Sequence, residues 1–124
     1  MYTTHMSKVL IIEDDDNWQQ IYSTLLMPRG VNVIPAYTLE DARDLFIRHR
    51  DLDAIVVDGQ IGPADADITS LLVREFRIDG FTGPIVAASS SETNCIKLVN
   101  AGCNYHVYGD KDLTVQTLVQ VLNL

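Results

Sequence analysis

Val9-Leu10-Ile11-Ile12-Glu13-Asp14-Asp15-Asp16 and Ala54-Ile55-Val56-Val57-Asp58 are two short apolar runs that each end in carboxylate side chains. Unbroken aliphatic runs of this length fit strands buried on both faces, as in a parallel sheet covered by helices. In an open parallel sheet the carboxyl ends of the strands line the ligand crevice, so acids at two such ends meet although they are far apart in sequence. Crowded carboxylates suit a hard divalent cation. Mg2+ in particular keeps several waters and is commonly held by one or two carboxylates together with a phosphoryl group. The pair of runs therefore points first to phosphoryl chemistry.

Working outward, the chain alternates such runs with amphipathic segments, without internal repeats or low-complexity stretches. Trp18, Ile21, Tyr22 and Leu25 fall at helical spacing after the first strand and stop near Pro28 and Gly30. A second strand is expected over Val31–Ala36. Thr38 with Asp41 three residues on resembles a capping box, and Leu39, Ala42, Leu45 and Phe46 then share one helical face. After the third strand, Ala54–Val57, a loop rich in Gly, Pro and Asp leads to a helix carrying Ile68, Leu71, Leu72 and Phe76. The fourth strand spans residues 85–88, and a fourth helix with Cys95, Leu98 and Val99 inward ends at Gly102, which suits a left-handed cap. A fifth strand over residues 105–108 precedes a last helix bearing Leu118, Val119 and Leu122, capped by Asp112 or Thr114. The expected class is α/β, with a doubly wound parallel sheet.

A chain of 124 residues with 47% hydrophobic side chains supports one core, not two. The net charge of -8, with nine scattered Lys and Arg, disfavours direct nucleic-acid binding. No apolar stretch approaches a membrane span, and Met1-Tyr2-Thr3-Thr4-His5 lacks the basic and apolar regions of a secretory signal, so a cytoplasmic location is expected. Residues 1–7 are expected to be a disordered extension, with Met6 an alternative start, and residues 8–124 the domain. Cys95 and Cys103 form neither a CxxC pair nor a disulfide framework and read as small, partly buried thiols. His5, His49 and His106 lack metal-ligand spacing and read as surface or half-buried histidines. Asp65 and Asp67 lack the spacing and terminal Glu of an EF-hand and read as helix-start residues. Trp18 and the tyrosines read first as core or sheet residues.

With these residues in place, the chain resembles the receiver domain of two-component response regulators, the CheY-like superfamily, over residues 8–124. The resemblance rests on Lys8-Val-Leu-Ile-Ile-Glu13-Asp14-Asp15, Asp58 ending the third strand, Pro84-Ile-Val-Ala-Ala-Ser89-Ser90 at the fourth, and Ala101-Gly102 before the fifth. It implies a flavodoxin-like fold of strand order 2-1-3-4-5 and a signalling phosphoacceptor, not an enzyme acting on other substrates. By the same resemblance Asp58 is the phosphoacceptor. Glu13, Asp14, Asp58 and the backbone carbonyl of Gln60 hold Mg2+. Ser89 and Tyr108 form the switch, while Lys111, Ser89 and Ser90 contact phosphate. The implied partners are a histidine kinase or histidine phosphotransfer protein, with a homodimer through helix four, strand five and helix five as one option.

Each feature has a plainer reading. Acids after a strand also cap the next helix and favour its dipole, which is the expected role of Asp15 and Asp16. Asp58 alone could cap a loop, and Ser89 to Ser91 alone are an ordinary polar loop. Two departures from the family pattern bear on competence. Receivers usually carry Lys-Pro after strand five, whereas here the sequence is Gly109-Asp110-Lys111-Asp112. Counting from Ala101-Gly102 puts Gly109 at the lysine position and His106 at the aromatic, while matching Lys111-Asp112-Leu113 puts Lys111 and Tyr108 there. The second register is preferred because it keeps a cation beside the phosphate. The loop Gly59-Gln-Ile-Gly-Pro-Ala-Asp-Ala-Asp67 replaces the usual Met-Pro and Asp-Gly. The alternative function is accordingly a pseudo-receiver, an interaction domain of the same fold that needs no phosphate. A flavodoxin-like enzyme or nucleotide binder is a third and weaker reading, since no GxxxxGK[ST], GxGxxG or GxSxG motif is present.

Overall fold

The computed structural model describes residues 6–124. Its elements are β1 (Ser7–Ile12), α1 (Asp16–Leu26), a 3-10 turn (Met27–Arg29), β2 (Val31–Ala36), α2 (Leu39–Arg48), β3 (Ala54–Val57) and α3 (Ala66–Ile78). Then follow β4 (Ile85–Ala87), α4 (Glu92–Ala101), β5 (Tyr105–His106), a second 3-10 turn (Lys111–Leu113) and α5 (Thr114–Leu122). The five strands pair in parallel in the order β2-β1-β3-β4-β5. Strand β1 begins at Ser7, one residue ahead of the expected boundary, and the remaining extension, residues 1–5, lies outside the described residues together with His5.

Register places the strand ends. Ile12 pairs with Val57 and Val57 with Ala87, so the next residues, Glu13, Asp58 and Ala88, emerge side by side. The Asp58 amide donates to the Ile12 carbonyl at 3.1 Å and the Ala88 amide to Val57 at 2.9 Å, carrying the ladder one step past the strands. Beneath this edge Val9 to Ile12, Ala54 to Val57 and Ile85 to Ala87 are almost wholly buried. Burying each large aliphatic side chain contributes about 1.5–3 kcal/mol, so the central strands fix the edge on which the acids sit.

Several helical faces differ from the expected ones. In α1 the buried stripe is Gln19, Tyr22 and Leu26, whereas Ile21 and Leu25 face outward. Gln19 holds the inward position because its Nε2 donates to the carbonyls of Ile11 (2.9 Å), Glu13 (3.1 Å) and Ala36 (3.2 Å), tying the helix to β1 and β2. In α3, Thr69, Leu72, Val73 and Phe76 are inward and Ile68 and Leu71 exposed. Thr69 is tolerated there because its hydroxyl donates to the Asp65 carbonyl at 2.9 Å. In α4, Cys95, Leu98 and Ala101 are buried, and Val99 is not. Strand pairing in β5 stops at His106, shorter than expected.

The caps follow the sequence more closely. Asp15 caps α1, Thr38 caps α2, and Asp65 caps α3. Neither Asp112 nor Thr114 caps the last helix. The α5 start has no side-chain cap; Asp110 instead caps the preceding 3-10 turn, accepting from the Asp112 amide, and that turn runs into α5. The Thr114 hydroxyl instead donates to the Lys111 carbonyl at 2.8 Å. Gly102 closes α4 at φ 137°, and a Cβ there would meet the Arg77 side chain at 3.0 Å. Cys95 and Cys103 are free and fully buried, and burial pushes the Cys103 thiol up to about 12. Among the described residues no helix is long and apolar enough to cross a membrane.

Candidate functional site

Three carboxylates converge where β1 and β3 end. Each of Glu13, Asp14 and Asp58 offers an oxygen within 4.8 Å of the others. Their surroundings differ sharply. Glu13 is only 1% exposed, and one of its oxygens accepts from the Asp15 amide at 3.1 Å. Asp14 is exposed and accepts from the Gly62 amide at 2.8 Å, so the loop after β3 reaches back to the acid after β1. Asp58 is partly buried between them, and the Gln60 amide donates to its Oδ1 at 3.3 Å. The short loop holds its shape through reciprocal backbone bonds between Ile61 and Ala64.

Lys111 supplies the cation. Its Nζ donates to Asp58 Oδ2 at 2.7 Å and pairs with Glu13, and the lysine and Asp58 side chains are only 11% and 14% exposed. Burial opposes the ammonium, yet its bonds to Asp58 and Glu13 outweigh that penalty and hold its pKa above the ordinary lysine value. Burial has the opposite result at Glu13, where it pushes the carboxyl up to about 7. The Lys111 bond lowers that value in part and the Asp58 charge adds to it. One ammonium thus faces three acids. The unbalanced negative charge and the all-oxygen donor set suit a hard divalent cation, so the cluster can hold a metal ion.

Lys111, not Gly109, therefore reaches the acids. Gly109, at φ 79°, packs instead against Glu92 and the Ser90 carbonyl, where a Cβ would come within 3.0–3.1 Å. Ser89 sits buried two residues beyond β4, and its hydroxyl accepts from the Ser91 amide at 3.1 Å. Ser90 beside it is exposed. Tyr108 is 70% exposed, holds a left-handed φ of 54°, and meets the His106 ring edge-on at 4.2 Å. The fold thus brings Glu13, Asp14, Asp58 and Lys111 together, sets Gln60, Ser89 and Ser90 on adjoining loops, and leaves Tyr108 on the outer surface.

Two contributors escaped the sequence reading. The Gly62 amide serves Asp14 through main chain alone, which no side-chain pattern announces. Trp18 lies under the Lys111 ammonium, 5.0 Å from ring centroid to Nζ. Its place one helical turn after Asp14 was the available signal, since the first turn of the helix that follows the acids remains close to them.

No protein-family model matches the sequence, and no curated protein matches it either. Solved structures do. A two-component response regulator from Clostridium difficile superposes with a TM-score of 0.78 at 20% identity, over 95% of this chain and 97% of that one. A CheY-like response regulator receiver domain from Methylobacillus flagellatus gives 0.77 at 19% identity, over 96% and 98%. A response regulator protein from Burkholderia pseudomallei, solved with a phosphorylated aspartic acid, calcium ion and citrate, gives 0.76 at 19% identity, over 94% of this chain and 66% of that one. The chain has the flavodoxin-like α/β fold of CheY-like response regulator receiver domains.

Proposed function

We propose that residues 8–124 form a phosphoacceptor receiver domain that takes phosphate from a phosphohistidine donor onto Asp58. The observation that carries this reading is the Lys111 ammonium 2.7 Å from Asp58 inside a cluster of three acids. An Asp58 oxygen attacks phosphorus, the bond from phosphorus to the donor imidazole nitrogen breaks, and the electron pair leaves with the imidazole, giving an acyl phosphate. Little covalent assistance is needed, so positioning and charge stabilisation dominate. Glu13, Asp14, Asp58 and the Gln60 carbonyl would hold Mg2+. When bound, Mg2+ offsets the repulsion between the carboxylate and the incoming phosphoryl oxygens. Lys111 supplies a second positive charge on a movable stem. Ser89 and Ser90 donate to the new phosphoryl oxygens, Ser89 by turning its hydroxyl from the Ser91 amide, and Tyr108 follows as the aromatic of the switch. The only turnover is the domain's own phosphorylation and hydrolysis.

The partner is a histidine kinase or histidine phosphotransfer protein in the cytoplasm, with no direct contact to nucleic acid or membrane. Ile96, Val99, Tyr105 and Tyr108 stand exposed on α4, β5 and the following loop, which supports that face as the output surface and as a homodimer contact. One observation favours the pseudo-receiver alternative. The acids already have internal partners, since Gly62 occupies Asp14 while Lys111 bridges Glu13 and Asp58. Intact-mass measurement after incubation with a small phosphodonor and Mg2+ separates the two. The expected result is a single added phosphoryl group that is lost in Asp58→Asn. An unchanged mass, or equal labelling of that variant, would remove the phosphoacceptor reading and leave the interaction domain.

A further inference from the structure

Lys111 reaches the acids from an unusual starting point. It is the first residue of the 3-10 turn Lys111–Leu113, beyond the end of β5, and its backbone is set by the Asp110 cap and the Thr114 hydroxyl. A lysine has a flexible four-carbon stem, so fixing its backbone leaves the ammonium free to swing into solvent. Two directions around Nζ are taken by Asp58 and Glu13. A third is covered by the indole of Trp18, whose centroid lies 5.0 Å away, inside the range over which an aromatic face attracts a cation. Trp18 is itself held, half-buried near the start of α1, with its ring 5.7 Å from that of the fully buried Tyr22.

We infer that Trp18 is a positioning residue for phosphoryl transfer, whose indole face keeps the Lys111 ammonium at the acceptor while its carboxylate partners change. The inference rests on the phosphoacceptor reading above. Its physical content is a change of partners. Once phosphate joins Asp58, that carboxylate no longer carries the charge that held Lys111, and Glu13, as a ligand that would hold Mg2+, would share its charge between the metal and the ammonium. Of the three neighbours, the indole is the one that is neither the phosphate acceptor nor a ligand that Mg2+ would claim. It therefore keeps the ammonium close enough to meet the phosphoryl oxygens, and its bulk shields one side of the ammonium from water.

Trp18 is the only tryptophan of the chain, so growth on fluorinated tryptophan changes this ring and nothing else. Fluorine withdraws electron density from the ring face with almost no change of shape, which separates attraction of the cation from packing. The rate of labelling by a small phosphodonor with Mg2+ should fall stepwise from native to singly and then multiply fluorinated protein, by about three- to ten-fold in all. Trp18→Leu should be slowed to a similar degree and Trp18→Phe, which restores a ring face, largely rescued. A flat rate across the fluorinated series, with native protein still labelled at Asp58, overturns the role of Trp18 and leaves the phosphoacceptor reading standing. Native protein that takes no phosphate overturns both, since Trp18 then has no transfer to serve.

Discussion

At the scale of single residues, the site is a contest between negative charge and the few groups that relieve it. Asp14 shows this most simply, because it contributes a charge and accepts one hydrogen bond, from the Gly62 amide. Asp14→Asn keeps an acceptor for that amide while removing the charge. Relief of repulsion should raise the stability of the metal-free protein by a few tenths to about 1 kcal/mol, a modest gain because the side chain is exposed and screened. Mg2+ affinity should fall by about ten-fold or more, as one anionic ligand becomes neutral. Thermal melts in chelator and a Mg2+ titration test the two halves separately, and unchanged affinity would remove Asp14 from the ligand set. Lys111 carries the opposite charge and a larger consequence. Lys111→Ala leaves the buried Glu13 beside Asp58 without its cation, and breaking a buried pair costs roughly 3–5 kcal/mol when the remaining charge cannot escape. Glu13 escapes in part by taking a proton, so the loss should be smaller near pH 6 than near pH 8. Equal destabilisation at both pH values would mean that Glu13 does not depend on the lysine.

Elements place these residues, and the short turn before α5 matters most. Asp110 accepts from the Asp112 amide and its carbonyl accepts from the Leu113 amide, so one residue starts the turn from which Lys111 extends. Asp110→Ala should cost about 1 kcal/mol and slow labelling of Asp58 several-fold, whereas Asp110→Asn, an equally good cap, should do neither. Labelling of Asp110→Ala at the parental rate would detach the turn from the chemistry. Sequence alone did not assign this cap, although it did show that a strand, a turn and a helix followed one another here. The strands themselves were legible because β1 and β3 are unbroken aliphatic runs, and the order of the strands became legible only through the resemblance. Helix faces were less so. In α1 and α3 the hydropathy pattern chose Ile21, Leu25, Ile68 and Leu71, whereas the fold buries Gln19 and Thr69. Gln19 is inward because it satisfies backbone carbonyls of β1 and β2, and Thr69 because its hydroxyl satisfies the Asp65 carbonyl at the start of its own helix; hydropathy has no access to either bond. Asp58, Glu13 and Asp14 were legible since they end strands, and Lys111 through the resemblance and the choice of the register that keeps a cation near them, where the fold puts its ammonium. Trp18 and the Gly62 amide were not, because each acts through a contact that only the folded chain creates.

On the scale of the whole molecule, the buried acid couples the site to the stability of the fold. Glu13 has a folded pKa of about 7 against an ordinary value of 4.5, so between those pH values the folded protein holds a proton that the unfolded chain has released. Stability rises with pH only where the unfolded state binds more protons, so here it falls. The metal-free protein should therefore lose stability as pH climbs from about 4.5 to about 7, and this group should contribute no further change above that. Lys111 adds no slope in this interval. Its raised pKa gives stability that is fully present below the ordinary lysine value and is lost only as pH climbs through the folded one. On the proposed reading Mg2+ would bind the ionised cluster in competition with the proton, and should reverse the effect. Its stabilisation should be small near pH 5 and should grow toward pH 8, reaching about 2.7 kcal/mol at a hundred-fold excess over Kd. Denaturant unfolding at several pH values, in chelator and in Mg2+, measures both curves, and Glu13→Gln provides the control because it cannot titrate. The chelator curve of Glu13→Gln should be flatter than the parental one across the interval. Coincident slopes for the two proteins would show that the pH dependence arises from the overall charge of -8 and not from the buried acid at the site.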